Sequence, residues 1–128
     1  MDDIHERIAN DPYCSHLGIT LETLAAGRAV TALELDEALC NFHGTPHGGA
    51  IYSLADAAFA AASNAEGRTA LALETNISYL APPTVGETIT AVAEESHDGG
   101  RTAEYDVRVS DAHDDPIATF RGRVYRPD

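Results

Sequence analysis

Ala50-Ile51-Tyr52-Ser53-Leu54-Ala55-Asp56-Ala57-Ala58-Phe59-Ala60-Ala61-Ala62-Ser63-Asn64 is the stretch on which the reading of this chain turns. Alanine is the strongest helix former, and no glycine or proline interrupts the run. The stretch therefore predicts a helix, ended by Glu66-Gly67. It is apolar almost all the way round, the pattern of a helix buried on most sides. Its many small residues let surrounding backbone approach closely. A helix this apolar needs other elements to cover it.

The residues on either side supply strands. Downstream, Leu71, Leu73, Thr75, Ile77 and Tyr79 alternate with Ala72, Glu74, Asn76 and Ser78. Ala81-Pro82-Pro83 and Val85-Gly86 read as a turn. Ile89, Ala91 and Ala93 share a face of the next strand, and Asp98-Gly99-Gly100 is a hairpin signal. Ala103, Tyr105, Val107 and Val109 alternate with polar neighbours, as do Ala118, Phe120, Gly122 and Val124 beyond a turn at Asp114-Asp115-Pro116. Period-two alternation means one buried face and one wet face, as in an antiparallel sheet. These four segments read as a four-strand meander. Upstream, residues 2–10 predict a short amphipathic helix, capped by Asp2 or Asp3 and ended by Asp11-Pro12. Leu17 to Leu24 and Val30 to Leu35 predict two strands around a turn at Gly27, and Asn41 to Gly49 is a loop. The expected fold is α+β, with one antiparallel sheet wrapped around one long buried helix. Such a sheet leaves an open edge, so pairing with a second copy is expected.

The 128 residues suit one domain, 1–128, large enough to hold a core without staples. No apolar run is long enough to span a bilayer, and the acidic, polar start does not resemble a signal peptide. A cytoplasmic protein without a membrane partner is expected. Eight basic residues against twenty-one acidic ones give a net charge of −13. All eight are arginine. A surface this negative repels phosphate backbones, which argues against nucleic acid as a partner. The acidic, lysine-free balance is halophilic in character: at molar salt the Debye length is about 3 Å and self-repulsion is screened. Two cysteines, Cys14 and Cys40, make no disulfide framework and read as small buried thiols.

Asp56 is the leading candidate for chemistry. It is the only charge between His47 and Glu66. A carboxylate on an apolar helix is costly unless it is paired or in use. Burial raises its proton affinity toward that of a general base. His47-Gly48-Gly49 lies where the helix begins, and free N–H groups there suit a carbonyl oxygen that becomes an oxyanion. Asn41 opens the same loop, where its amide can hold a carbonyl or water, or serve the turn alone. Cys40, His43 and His47 are spaced like metal ligands. Structural zinc needs four ligands, however, and only Cys14 and His16 could complete the set, so no metal is expected. Ser53 and Ser63 lack a nucleophile elbow, and no phosphate or dinucleotide fingerprint occurs.

Asn41-Phe42-His43-Gly44-Thr45-Pro46-His47-Gly48-Gly49 followed by Leu54-Ala55-Asp56 resembles the signature of hotdog-fold acyl-CoA thioesterases of the PaaI type. Asn76-Ile77-Ser78-Tyr79-Leu80, Pro82 and Gly86-Glu87 resemble the family's next strand and turn. The similarity runs over about residues 15–125. It implies a hotdog fold and a catalytic Asp56, acting as nucleophile or as base on water. It implies that the Gly48 N–H polarises the thioester carbonyl, that His47 and Gly49 shape the turn, and that Asn41 positions thioester or water. Coenzyme A belongs to the substrate, and no separate cofactor is implied. Some relatives carry a serine four residues before the strand asparagine. Ala72 stands there in this chain, with Thr75 as a potential replacement hydroxyl. Tyr52, Leu54 and Phe59 are expected around the acyl group. Arg101, Arg123, Arg126 or the Asp98-Gly99-Gly100 backbone are candidates for coenzyme A phosphates, although partnering surface carboxylates is the commoner arginine role.

Gly48 and Asp56 are eight residues apart, roughly 12 Å along a helix. One carbonyl carbon cannot touch both within one chain, so a site shared between two protomers is expected. The family builds its sites this way, and its dimers often pair into tetramers. Two other readings stand beside hydrolysis: a non-catalytic acyl-CoA-binding module, and a hotdog enoyl-CoA hydratase or dehydratase using His47.

Overall fold

A computed structural model describes residues 3–128. The elements run α1 (Ile4–Ala9), α2 (Pro12–Leu17), β1 (Thr20–Ala25), β2 (Arg28–Glu34), a 3₁₀ turn (Glu37–Leu39), α3 (Gly48–Asn64), β3 (Leu71–Tyr79), β4 (Thr88–Asp98), β5 (Thr102–Ser110) and β6 (Pro116–Tyr125). All six strands join one antiparallel sheet in the order β1-β2-β4-β5-β6-β3. The sheet wraps α3, the hotdog arrangement expected from the motif. No helix among the described residues is long and apolar enough to cross a membrane.

The sheet order corrects the expected four-strand meander. Only β4, β5 and β6 run as a meander; β3 pairs with β6 at the far edge, and β4 returns to β2. The reason lies in residues 80–87. Pro82 and Pro83 have fixed φ and no N–H, so the segment cannot fold back as a tight hairpin. It crosses the end of the sheet instead. Leu80 N–H donates to the Ile117 carbonyl at 2.9 Å, and Leu35 N–H donates to the Glu87 carbonyl at 2.9 Å. The Glu87 carboxylate accepts from the N–H groups of Thr84 and Ala112, and these bonds lower its pKa.

The expected strand starting at Leu17 is also corrected. Pro12 does not only end the first helix; it opens α2, where its missing N–H would have had no partner. Asp11 caps α2 by accepting from Cys14 N–H at 3.0 Å, and Leu17 belongs to this helix. The strand begins at Thr20. Asp3 caps α1 by accepting from His5 N–H at 2.9 Å. The alternative cap, Asp2, lies outside the described residues.

Helix α3 buries Ala50, Ile51, Leu54, Ala55, Ala58, Phe59, Ala61 and Ala62 against the inner face of the sheet. Register places Leu33 opposite Ile89, Ala93 opposite Val107, and Val107 opposite Phe120. These rows meet the helix. Burying a side chain of this size contributes about 1.5–3 kcal/mol. The fit is close at Gly122, where a Cβ would lie 2.5 Å from Phe59 Cε1. The Phe59 ring fills that gap and meets the Tyr105 and Phe120 rings at centroid distances of 5.8 and 5.7 Å. The buried Thr31 hydroxyl donates to the Leu54 carbonyl at 3.1 Å, so the core carries it without an orphaned donor.

Strand β3 departs from simple alternation. A bulge between Ala72 and Glu74 breaks the register. Leu71 and Leu73, on this edge strand, are both exposed, at 54% and 55%.

Candidate active site

The first part of the site is the start of α3. The helix begins at Gly48, two residues earlier than expected, because His47 caps it. The His47 Nδ1 accepts from Gly49 N–H at 2.8 Å. That bond requires an unprotonated Nδ1. It also divides the labour between the two glycines: Gly49 N–H is taken by the cap, while Gly48 N–H has no acceptor among the described residues. The free N–H sits at the positive end of a 17-residue helix, where developing negative charge is stabilised. The Tyr79 hydroxyl donates to the Gly48 carbonyl at 2.9 Å and ties this turn to β3. A side chain at position 48 would press on that hydroxyl, with a Cβ 3.2 Å away.

Asn41 organises the preceding loop. Its Oδ1 accepts from His43 N–H at 2.9 Å, from Thr45 N–H at 3.2 Å and from the Thr45 hydroxyl at 3.1 Å. The carbonyl half of the amide is thus committed to the loop. The Nδ2 half remains as a donor for a thioester carbonyl or a water. Between them Phe42 stands 92% exposed.

Tyr52 and Thr75, expected near substrate, are brought together: their hydroxyls hydrogen-bond across α3 and β3. The Thr75 hydroxyl thus has the Tyr52 hydroxyl as a partner. Ala72 is exposed on β3 opposite Val124 and supplies no hydroxyl. Leu54 and Phe59 do not line an open pocket. They are 0% and 1% exposed, because their side of α3 faces the sheet.

Asp56 lies on the outer side of α3, eight residues beyond Gly48. It lines a cavity of about 610 Å³ between α3 and the two N-terminal helices, with Ile8, Asp11, Tyr13, Cys14 and Ala60 among its neighbours. Burial first, and then the negative charge of Asp11, raise the Asp56 pKa above the ordinary aspartate value. No ion pair among the described residues involves Asp56. Burial and the same carboxylates push the Cys14 thiol up to about 11, so it stays protonated at neutral pH. Both cysteines are free and only partly buried. A smaller cavity of about 190 Å³ adjoins, lined by His47, Gly49, Cys40, Tyr13 and Ser53. The Tyr13 and Ser53 hydroxyls, 2.8 Å apart, stand between the two.

The arginines sort by environment. Arg126 is buried; it donates to Asp98 at 2.7 Å and to the Gly100 carbonyl at 2.8 Å, locking the β4–β5 hairpin. It is not available to a phosphate. Arg123 lies 3.8 Å from Glu74, and Arg101 sits over the Tyr125 ring. No cluster of three metal-binding side chains occurs among the described residues.

Residues 43–118 match the sequence pattern of the Thioesterase superfamily, which is more than half of the chain. The chain belongs to the thioesterase superfamily. Within it, this thioesterase-superfamily chain is 36% identical over 122 residues to the acyl-coenzyme A thioesterase PaaI of Escherichia coli, covering 95% of this chain and 87% of that protein. The Escherichia coli PaaI structure superposes with a TM-score of 0.92 at 35% identity, covering 98% of this chain and 91% of that one. A Thermus thermophilus crystal structure matches at 42% identity and a TM-score of 0.87, over 91% and 97% of the two chains. A Streptococcus mutans protein solved with acetyl-CoA bound matches at 25% identity and a TM-score of 0.80, over 84% and 87%.

Sequence reasoning missed Asp11, Tyr13 and Tyr79 as neighbours of the site. Asp11-Pro12 carried a signal, since Asp before Pro marks a helix start as well as a stop. Nothing local marked Tyr79, whose role depends on β3 lying beside the start of α3.

Proposed function

We propose that the chain is an acyl-CoA thioesterase that hydrolyses an acyl- or aryl-CoA thioester to the free acid and coenzyme A in the cytoplasm. The observation that carries this reading is Asp56: a partly buried carboxylate, in no ion pair among the described residues, with raised proton affinity on the wall of an open cavity. As base, it takes a proton from water while the water oxygen attacks the thioester carbon. As nucleophile, its own oxygen attacks that carbon and water then releases the acid. In either route the carbonyl electrons move onto oxygen, which the Gly48 N–H stabilises. Collapse expels the coenzyme A thiolate. In the base route it takes up the proton that Asp56 removed from water. In the nucleophile route it leaves an Asp56 mixed anhydride, whose hydrolysis by water frees the acid, regenerates Asp56 and supplies the thiol proton. Asn41 Nδ2 holds the carbonyl or the water. His47 and Gly49 hold the turn, and Tyr52 and Thr75 brace α3 against β3 beside it.

The reading includes a homodimer at least, with pairing into a tetramer. Gly48 and Asp56 share one helix, roughly 12 Å apart, too far to act on one carbon. A second copy supplies the missing half. The free edge of β3, with Leu71, Leu73, Tyr79 and Leu80 exposed, supports this pairing.

The test is thiol release from a panel running from acetyl- to palmitoyl-CoA with aryl members, in molar potassium chloride, with Asp56→Asn beside wild type. Turnover is expected, with kcat reduced at least ~10²-fold in the variant. Enoyl-CoA hydration without thiol release would turn the reading to a hydratase. Binding without any turnover would turn it to an acyl-CoA-binding module.

A further inference from the structure

The cavity that holds Asp56 holds a second carboxylate. Asp11 lies on its wall, fixed by the cap it makes for α2, its Oδ1 accepting from Cys14 N–H at 3.0 Å. Pro12 follows directly and restricts the backbone there. Helix α2 is itself tied to α3 by the Tyr13–Ser53 hydrogen bond, and Ser53 stands one turn before Asp56. Neither carboxylate takes part in an ion pair among the described residues. Two like charges are thus held on one partly buried cavity by bonds that do not depend on either being neutralised. We propose that Asp11 is a positioning residue for Asp56, its clamped charge making the catalytic carboxylate a stronger base or nucleophile.

Within one protomer, the charged side chains on the cavity wall beside Asp56 are Asp11 and Arg7. From α1 the cavity receives Arg7, and from α2 it receives Asp11, Tyr13 and Cys14. Helix α3 adds no charge besides Asp56, and the strands beneath meet its other side with apolar residues and Thr31. The cation of Arg7 is in no ion pair with either carboxylate. A nearby like charge disfavours ionisation, and Asp11 raises the proton affinity of Asp56 after burial has done so. The same two carboxylates act on Cys14, which lines the same cavity. A base of higher proton affinity removes a proton from water more effectively near neutral pH.

The inference rests on the catalytic reading of Asp56, but its test does not. Asp11→Asn keeps an oxygen that caps α2 and removes the charge; Asp11→Ser is a second neutral cap. In the intact protein with labelled aspartate carboxyl carbons, the Asp56 titration is followed by NMR, with Asp56→Asn identifying its signal. The midpoint is expected to move to lower pH in Asp11→Asn, and the acid limb of kcat/KM to move the same way with thermal stability kept. Unchanged midpoints in both neutral variants overturn the proposal, whether or not any thioester is hydrolysed. If the midpoint moves and no thioester is turned over, the electrostatic link stands and the thioesterase reading falls.

Discussion

At the scale of single residues, Asp56 couples function to stability. Its proton affinity is raised in the folded state, by burial and then by Asp11. A group of this kind contributes stability that is complete below its unfolded pKa and is lost as pH rises through the folded value. Asp56→Asn is therefore expected to be more heat-stable than wild type at neutral pH, with the difference shrinking as pH falls through the raised folded value and gone below the ordinary aspartate range. Thermal melts across pH check this, and a variant less stable at neutral pH would contradict it. Asn41 separates in another way. Asn41→Asp keeps an acceptor for the loop donors at His43 and Thr45 and deletes the Nδ2 donor. Its melting temperature is expected to hold better than that of Asn41→Ala. Its kcat/KM is expected to fall by the equivalent of ~1–3 kcal/mol, the loss for one hydrogen bond left unmade in the substrate complex. Loss of stability without loss of kcat/KM would confine Asn41 to the loop.

At the scale of elements, α3 and its contacts set the tolerance of the core. Phe59 rests over Gly122, so Gly122→Ala forces the ring or β6 to move. A cost of about 1–3 kcal/mol is expected, read from chemical unfolding, with the slope unchanged. Most elements were legible in the sequence because their periods are local properties. The alanine run predicted α3, and alternation predicted β5 and β6. The bulge in β3 was not legible, since Leu71-Ala72-Leu73 reads as regular alternation and the extra residue is decided by pairing with β6. Helix α2 was hidden because its six residues are too few to display a helical period.

At the scale of the whole molecule, charge and the open sheet edge dominate. The exposed ion pairs, such as Arg28–Glu94 at 3.9 Å and Arg121–Asp106 at 3.7 Å, add little stability. They use arginines already counted in the net charge of −13, so that excess stays uncompensated. The unfolding midpoint is expected to rise with potassium chloride concentration, and a midpoint indifferent to salt would remove the halophilic reading. Placing a charge on the β3 edge tests assembly. Leu73→Glu is expected to give a folded monomer by sedimentation that no longer releases thiol. An active wild-type monomer would separate catalysis from pairing.

The chain's linear order determined the buried helix, the strand alternation and the Asn41, Gly48 and Asp56 spacing, because each follows from neighbours along the backbone. Which strands pair, which glycine keeps a free N–H, and which acid shares the cavity of Asp56 were decided only in three dimensions. Stiff prolines send residues 80–87 across the sheet, so β3 reaches the edge and Tyr79 reaches Gly48. A cap at His47 takes one N–H and leaves the other. Docking of α2 on α3 brings together two carboxylates that lie 45 residues apart in the chain, a proximity that no local pattern encodes.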